Sequence, residues 1–263
     1  MIHELNDGYV KVENHAGITT VEFFHPQSNS LPGKILSDIA QEIHAAGNDE
    51  RCKVIILKSG GDKAFCAGAS FNELLAIRDA NDGRQFFGGF ANVFNAMRKC
   101  PRFIIGRIQG NCIGGGLGLA AATDYCIAQQ NVQVKLSELS VGLGPFVVGP
   151  VIERKTGNAA FGQLAIDATV YRNADWAKRK GLFAEVHPDI ESMDESIQRL
   201  ATSLAHSSKE AMQEMKKMLW ANTDHWDELL NERASVSGRL AASEFSKNAI
   251  SAYKSQTGKS GNS

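Results

Sequence analysis

The residues best suited to chemistry are a run of three glycines and the carboxylate of Glu138, which follows the glycines in sequence. Gly114, Gly115 and Gly116 lie between a β-branched segment, 103–108, and an Ala/Leu-rich segment, 117–123. Composition and periodicity predict a buried strand before the glycines and a tightly packed helix after them. Glycines at such a join let the backbone approach a ligand and leave N–H groups unpaired at the helix N-terminus. They equally let a helix pack close to its strand, so this segment alone leaves both interpretations open.

A second unit of strand, loop and helix favours a ligand site. Residues 54–57 are predicted to be a short buried strand, and residues 70–77 a helix with Ser70 as N-cap and Glu73 in a capping-box pattern. The small residues 66–69 form the turn between them. If both units lie side by side in a parallel sheet, two backbone N–H donors point at one place, which is the geometry of an oxyanion hole. This arrangement suggests carbonyl chemistry.

The elements that position these loops are βα units first and helices last. A hairpin is predicted over 9–24, and the aromatic stripe of 84–99 is interpreted as core packing. Helices are predicted over 159–168, 173–181, 193–206, 209–220 and 226–253, and the residues after about 253 form a polar tail. This order predicts a parallel sheet with a helical C-terminal region. That region has more apolar residues than a small appendage could bury alone, which predicts an oligomer: Met212, Met215, Met218, Leu219, Trp220 and Trp226.

Composition argues against several other classes of function. The 263 residues have a formal net charge of −1 and 43% hydrophobic residues, which indicates a globular protein without the electrostatic footprint of a nucleic-acid or membrane partner. The N-terminus does not resemble a signal peptide, and no stretch approaches ~18 apolar residues. We therefore expect a cytoplasmic protein.

The five cysteines are interpreted as reduced thiols, mostly in the core, and not as a disulfide framework or a metal site. Their number is odd and no pair has C-x-x-C spacing. Cys66 lies in the small-residue turn, but a catalytic thiol there would need a base, and the sequence offers none.

These residues together carry a family resemblance. The segments AFCAGAS (64–70), GGGLGLAAATDY (114–125) and SELSVGLGP (137–145) resemble the crotonase superfamily of enoyl-CoA hydratases and isomerases. The resemblance implies an α/β fold, with a crotonase-like spiral of ββα repeats over 1–192 and a C-terminal helical oligomerisation region over 193–263. It also implies acyl-CoA thioester substrates, no cofactor beyond the CoA moiety, and a homotrimer or hexamer.

The resemblance assigns roles to individual residues. It places the two oxyanion-hole N–H groups on Ala69 and Gly115, in agreement with the loop geometry above, and the catalytic acid/base on Glu138. Three further loop residues are implied to bind the substrate: Ala67, Gly68 and Gly114.

The sequence departs from the hydratases of this family at Gly118. Those enzymes typically carry two catalytic glutamates; the second matches Glu138, whereas the first falls on Gly118, which has no side chain. One carboxylate is enough to move a proton from C2 to C4 of a 3-enoyl thioester. Single-glutamate members of this family are typically Δ3,Δ2-enoyl-CoA isomerases, so the resemblance implies that activity for this chain. Dienoyl-CoA isomerases and aryl-CoA dehalogenases of this family use an aspartate eight residues after the glutamate. Here that residue is Phe146, so the sequence disfavours both activities.

Other activities stay open. The chain could be an enoyl-CoA hydratase, including the 3-methylglutaconyl-CoA type, if another polar group replaces the missing carboxylate. An acyl-thioester decarboxylase needs little beyond the oxyanion hole, and a non-catalytic acyl-CoA-binding protein needs no base. From another class, Gly116, Gly118 and Ala121 match the dinucleotide pattern G-x-G-x-x-A. However, Glu138 follows two strand-like segments, which is too late for a ribose-binding acid.

Overall fold

Two β-sheets form the centre of the protein, which a computed structural model describes over residues 8–259. The larger sheet has the strand order β1-β2-β3-β5-β7-β10: β1 (Tyr9–His15), β2 (Ile18–Phe24), β3 (Val54–Ser59), β5 (Phe103–Ile108), β7 (Tyr125–Gln129) and β10 (Glu185–His187). The smaller sheet has the order β4-β6-β8-β9: β4 (Ala64–Cys66), β6 (Asn111–Ile113), β8 (Gln133–Lys135) and β9 (Arg172–Asn173). All neighbours are parallel except β1 with β2 and β8 with β9.

The strands come in consecutive pairs, each followed by a helix; both strands of the first pair lie in the larger sheet, whereas the pairs β3–β4, β5–β6 and β7–β8 each give one strand to either sheet. Helix α1 (Gly33–Asn48) follows the β1–β2 hairpin, α2 (Phe71–Ala76) and α3 (Ala80–Lys99) follow β4, and α4 (Gly115–Ala122) follows β6. A 3₁₀ turn (Glu138–Val141) and α5 (Gly149–Ile166) follow β8. The predicted spiral of ββα repeats is confirmed. Apolar side chains of both sheets and of α1, α3 and α4 meet in one core, as the alternating burial of β2 and the complete burial of α4 show.

The remaining helices are α6 (Ala174–Arg179), α7 (Ile190–Ala205), α8 (Lys209–Leu219), α9 (Trp226–Ala241) and α10 (Glu244–Lys259). The single helix predicted over 226–253 is wrong, because the Oγ of Ser243 accepts a hydrogen bond from the Ser246 N–H and caps a new helix. Helix α10 continues to Lys259, into the polar segment that was predicted to be a tail after about 253. Once a helix is anchored, each further residue adds to it at low cost, and no proline interrupts this segment. Residues 1–7 of the predicted spiral and residues 260–263 of the predicted tail lie outside the part of the chain that the structure describes.

The C-terminal helices pack on their own chain. Helix α9 lies along α3, and α10 contacts α2 and the 3₁₀ turn, where the rings of Tyr253 and Phe71 stack with centroids 5.5 Å apart. Of the apolar residues that predicted an oligomer, three are buried within the chain: Met212, Trp220 and Trp226. The other three are 41–67% exposed on α8: Met215, Met218 and Leu219. The oligomer prediction therefore depends on a smaller apolar surface than the sequence suggested.

A buried ion pair attaches α8 to the larger sheet. The Lys216 ammonium donates to a carboxylate oxygen of Asp124 at 2.5 Å, and both side chains are 4% exposed. The indole N–H of Trp220 donates to the other oxygen at 2.8 Å, and the Ile104 N–H also donates to the carboxylate. Because every charge in this cluster has a partner, the pair fixes the position of the helix.

Among residues 8–259, no helix combines the length and the apolar character needed to cross a membrane.

Candidate active site

Three neighbouring strands of the smaller sheet end at the candidate site. Strands β4, β6 and β8 pair in parallel, with Cys66 beside Cys112 and Cys112 beside Val134. Their carboxyl ends therefore meet at one edge of the sheet, where ligands bind in parallel sheets. The chain after these strands supplies, in order, the 67–69 loop, the glycine run and Glu138.

The backbone around Ala69 holds its N–H group away from the neighbouring segment. In the parallel bridge between Leu31 and Ala69, the Leu31 N–H donates to the Gly68 carbonyl at 2.7 Å and the Ser70 N–H donates to the Leu31 carbonyl at 3.2 Å. Both bonds use residues that flank Ala69, so the N–H of Ala69 itself points to the opposite side. The φ of Gly68 is 96°, a conformation that favours glycine, and its N–H donates to the Cys66 thiol.

The N–H of Gly115 is also free to bind a ligand. Gly115 is the first residue of α4, so its N–H has no acceptor inside the helix, and the first helical bond runs from the Gly118 N–H to the Gly114 carbonyl at 3.1 Å. A Cβ atom placed on Gly68 would lie 3.5 Å from the nitrogen of Gly115, so the two loops are in contact. Both loops line the same cavity.

Glu138 lies beside the glycine run. The Gly114 N–H donates to the Lys135 carbonyl at 2.9 Å and so joins the ends of β6 and β8. A Cβ on Gly114 would be 2.9 Å from the Glu138 Oε1, which shows how closely the carboxylate approaches that backbone. The Oε2 atom is buried and has no hydrogen-bond partner among the described residues. Burial raises the pKa of Glu138 from 4.5 to about 7, although the N–H groups of Ser137 and Glu138 lower it somewhat. A carboxyl group with this pKa can take up and return a proton near neutrality.

One cavity of about 620 Å³, a volume that includes its open mouth, brings all six sequence-predicted site residues together: Ala67, Gly68, Ala69, Gly114, Gly115 and Glu138. The other walls are mainly apolar and include the rings of Phe71, Phe87, Phe90 and Phe146. The interpretation of the 84–99 stripe as core packing is correct for Phe86, Phe94 and Met97, but Phe87 and Phe90 also line the cavity. Of the described residues that line it, none is Lys, Arg or His.

The apolar segment 140–150 was expected to keep water away from Glu138, and its residues Val141, Val147 and Val148 do line the cavity. Sequence reasoning missed three other lining residues: Phe71, Leu74 and Ser237. Ser237 comes from α9, about 100 residues after Glu138, and nothing in the local pattern of that helix indicates that it meets the cavity.

Gly118, the position where a second carboxylate is absent, is packed against other side chains. It is fully buried, and a Cβ there would lie 2.7 Å from the Phe94 ring and 2.9 Å from a Val148 methyl group. The packing also opposes dinucleotide binding, because a Cβ on Gly116 would be 2.2 Å from the Cys66 carbonyl oxygen. The glycines of that pattern therefore serve close packing and are not accessible to a pyrophosphate.

The Cys66 thiol is buried, and desolvation raises its pKa to about 12, so the thiolate is not available at neutral pH. All five cysteines are buried with free thiols. In the described part of the chain, no group of three His, Cys, Asp or Glu residues could hold a metal ion.

Comparison with known proteins identifies relatives over almost the whole chain. Residues 13–258 match the family model described as enoyl-CoA hydratase/isomerase. The mitochondrial Δ(3,5)-Δ(2,4)-dienoyl-CoA isomerase of Pongo abelii is 27% identical over 78% of this chain, which spans 66% of that relative's length. The trans-2-decenoyl-[acyl-carrier-protein] isomerase of Streptococcus mutans is 25% identical over 90% of this chain and 91% of the relative. The crystal structure of an enoyl-CoA hydratase from Bacillus halodurans superposes with a TM-score of 0.85 at 19% identity, over 93% of this chain and 99% of that one.

Proposed function

The chain belongs to the enoyl-CoA hydratase/isomerase family, and within this family we propose that it is a Δ3,Δ2-enoyl-CoA isomerase. The observation that carries the proposal is the state of Glu138. Its Oε2 is buried without a partner among the described residues, and its pKa is raised to about 7, in a cavity whose other walls are mainly apolar. A carboxylate with these properties suits repeated transfer of one proton.

In the proposed mechanism, Glu138 moves the proton and the backbone holds the charge. The carboxylate takes a proton from C2 of a 3-enoyl thioester, and the electron pair of that bond delocalises onto the thioester oxygen. The N–H groups of Ala69 and Gly115 donate hydrogen bonds to this oxygen and stabilise the dienolate. The protonated Glu138 then returns the proton to C4, which moves the double bond from C3–C4 to C2–C3. Substrate and product are isomers, so no cofactor beyond the CoA moiety takes part.

The packing around Gly118 supports isomerisation over hydration. Adding water to an enoyl thioester requires that the water be positioned and deprotonated and that C2 receive a proton, a task that two carboxylates share in the family's hydratases. Here Phe94 and Val148 fill the space that a side chain at position 118 would need.

The lining of the cavity and the state of its base also argue against three competing activities. A 3-methylglutaconyl group carries a second carboxylate, and no cationic side chain among the described lining residues would pair with it. A decarboxylase or a non-catalytic acyl-CoA-binding protein would have no use for a base with a raised pKa.

Two relatives act as double-bond isomerases by their names, one on a dienoyl-CoA and one on an acyl-carrier-protein thioester. We propose that this chain acts on CoA thioesters, and that it assembles as a homotrimer or hexamer.

The test is to incubate the enzyme in D₂O with 3-hexenoyl-CoA, crotonyl-CoA or 3-methylglutaconyl-CoA and to locate double bonds and deuterium by NMR. We expect 2-hexenoyl-CoA with little deuterium at C4, because Glu138 returns the proton that it took from C2, and no hydration of the other two. Hydration of crotonyl-CoA at a typical enzymic rate of about 10 s⁻¹ or faster would overturn the isomerase assignment. Loss of CO₂, or binding without reaction, would favour the decarboxylase or the binding protein.

A further inference from the structure

A hydroxyl group enters the cavity from the C-terminal helix α9. Ser237 lines the cavity and is 2% exposed, yet its hydroxyl makes no hydrogen bond to any described residue. Two residues earlier on the same helix, Ser235 donates its hydroxyl hydrogen bond to the Asn231 carbonyl at 3.0 Å. Ser237 does not use this common way of satisfying a helical serine. Its hydroxyl is therefore available to a molecule in the cavity.

The position of Ser237 is fixed by a very close helix crossing. A Cβ on Gly238 would lie 2.3 Å from the Arg84 nitrogen, and a Cβ on Gly83 would lie 2.5 Å from the Gly238 Cα. The backbones of α3 and α9 are thus in direct contact next to Ser237. Helix α3 also carries Phe87 and Phe90, so the hydroxyl reaches the cavity at the wall that these rings form. Because packed backbones cannot shift easily, Ser237 presents its hydroxyl at a defined place.

A hydrocarbon chain in this cavity would leave the Ser237 hydroxyl unsatisfied. Burying a hydroxyl without a partner costs about 1–3 kcal/mol, and a substrate oxygen that pairs with it removes this cost. The described lining residues include no cation, so a charged group on the acyl chain would have no counter-ion. The two other polar side chains of the lining, Ser137 and Glu138, belong to the start of the 3₁₀ turn, so Ser237 is the polar side chain that α9 adds to the described lining.

Building on the proposed function, we propose that Ser237 is a specificity-determining residue that binds a neutral oxygen, a hydroxyl or a carbonyl, on the acyl chain beyond the reacting carbons. The substrate class is then an oxygenated 3-enoyl thioester, and simple hydrocarbon analogues are poorer substrates.

Binding of saturated thioesters tests this inference without relying on catalysis. Dissociation constants for hexanoyl-CoA and for 4-, 5- and 6-hydroxyhexanoyl-CoA are measured by calorimetry with the wild-type protein, Ser237→Ala and the matched control Ser235→Ala. We expect the wild type and the control to bind one hydroxylated ligand about 10-fold more tightly than hexanoyl-CoA. Ser237→Ala should lose this preference while binding hexanoyl-CoA at least as tightly as the wild type.

Two results would overturn the inference: equal wild-type binding of all four ligands, or an unchanged preference in Ser237→Ala. Because these ligands cannot isomerise, failure of the isomerase assignment leaves the binding result intact. Conversely, an enzyme that isomerises 3-hexenoyl-CoA but shows no preference for an oxygenated chain retains the proposed function and refutes the role of Ser237.

Discussion

Replacing Glu138 with glutamine removes the ionisable group and keeps its shape. The proposal requires the deprotonated carboxylate in the free enzyme, so kcat/KM of the wild type should rise with pH and level off above the pKa of about 7. At pH 5 only about 1% of the enzyme would hold the carboxylate, and kcat/KM should be about 100-fold below its plateau. If burial did not raise the pKa above 4.5, about three quarters of the plateau would remain at pH 5.

The same pKa shift predicts the effect of the substitution on stability. A folded-state pKa above the unfolded value means that the native protein holds the proton more tightly, so ionisation of Glu138 destabilises the fold as pH rises from about 4.5 to about 7. At about 1.4 kcal/mol for each pH unit, this loss reaches about 3 kcal/mol. Glutamine does not titrate. Relative to the wild type, Glu138→Gln should therefore gain up to about 3 kcal/mol in its free energy of unfolding between pH 4.5 and pH 8.

Urea denaturation at several pH values and the rate of 3-hexenoyl-CoA isomerisation test both effects. Glu138→Gln should fold, bind acyl-CoA and lose isomerisation, because an amide cannot take the proton. Glu73→Gln is a matched control, since the Glu73 carboxylate accepts the Gly33 N–H at 2.8 Å and does not line the cavity. Wild-type activity at pH 5 close to its plateau, or isomerisation by Glu138→Gln within about 10-fold of the wild type, would refute the reasoning.

Three further predictions concern the oxyanion hole, the ion pair and assembly. Gly115→Ala and Gly115→Pro both add a Cβ that would lie 2.3 Å from the Phe90 ring before relaxation, but only the proline variant lacks the N–H. The kcat of the proline variant should therefore be about 10²-fold below that of the alanine variant. Equal kcat values would exclude the Gly115 N–H as an oxyanion donor. Asp124→Asn should lower the free energy of unfolding by about 3–5 kcal/mol in urea titrations, because Lys216 would stay buried without its counter-charge; a loss below about 1 kcal/mol would contradict this. The wild type should sediment as a trimer or hexamer at micromolar concentration and Met218→Glu as a smaller species, whereas a monomeric wild type would refute the assembly.

The two loops of the site could be predicted from sequence because each is a local pattern. In each loop unit, a β-branched segment, a small-residue turn and a helix start lie within about 25 residues of one another. Ser70 caps its helix as predicted, because its side chain accepts the Glu73 N–H. The second half of the predicted capping box is absent, because the Glu73 carboxylate instead accepts a hydrogen bond from Gly33, 40 residues away in sequence. Local patterns thus predicted the elements, but not which distant backbone group they would meet.

The local sequence does not indicate that Glu138, which follows a third strand of the same sheet, lies close to these two loops. Strand β8 has only three residues, and nothing in its own sequence indicates that it pairs with β6, where Cys112 lies beside Val134 and Ile113 beside Lys135. The same limit applies to Phe87 and Ser237. Helical periodicity identifies a buried face, but which part of it borders a cavity depends on how another helix crosses it, here at Gly83 and Gly238.

The packing at the start of α4 explains how one fold can support different reactions. The strand ends that precede Ala69, Gly115 and Glu138 are set by the pairing of β4, β6 and β8, and this pairing does not involve position 118 of α4. Position 118 lies one turn into that helix, and in this chain Phe94 and Val148 occupy the space beside it. A carboxylate there would need those two side chains to become smaller as well, because overpacking a core costs about 1–3 kcal/mol and an unpaired buried carboxylate costs more. In the proposed mechanism, the absence of a second carboxylate therefore depends on Gly118, Phe94 and Val148 together, and introducing one would require coordinated changes at all three positions.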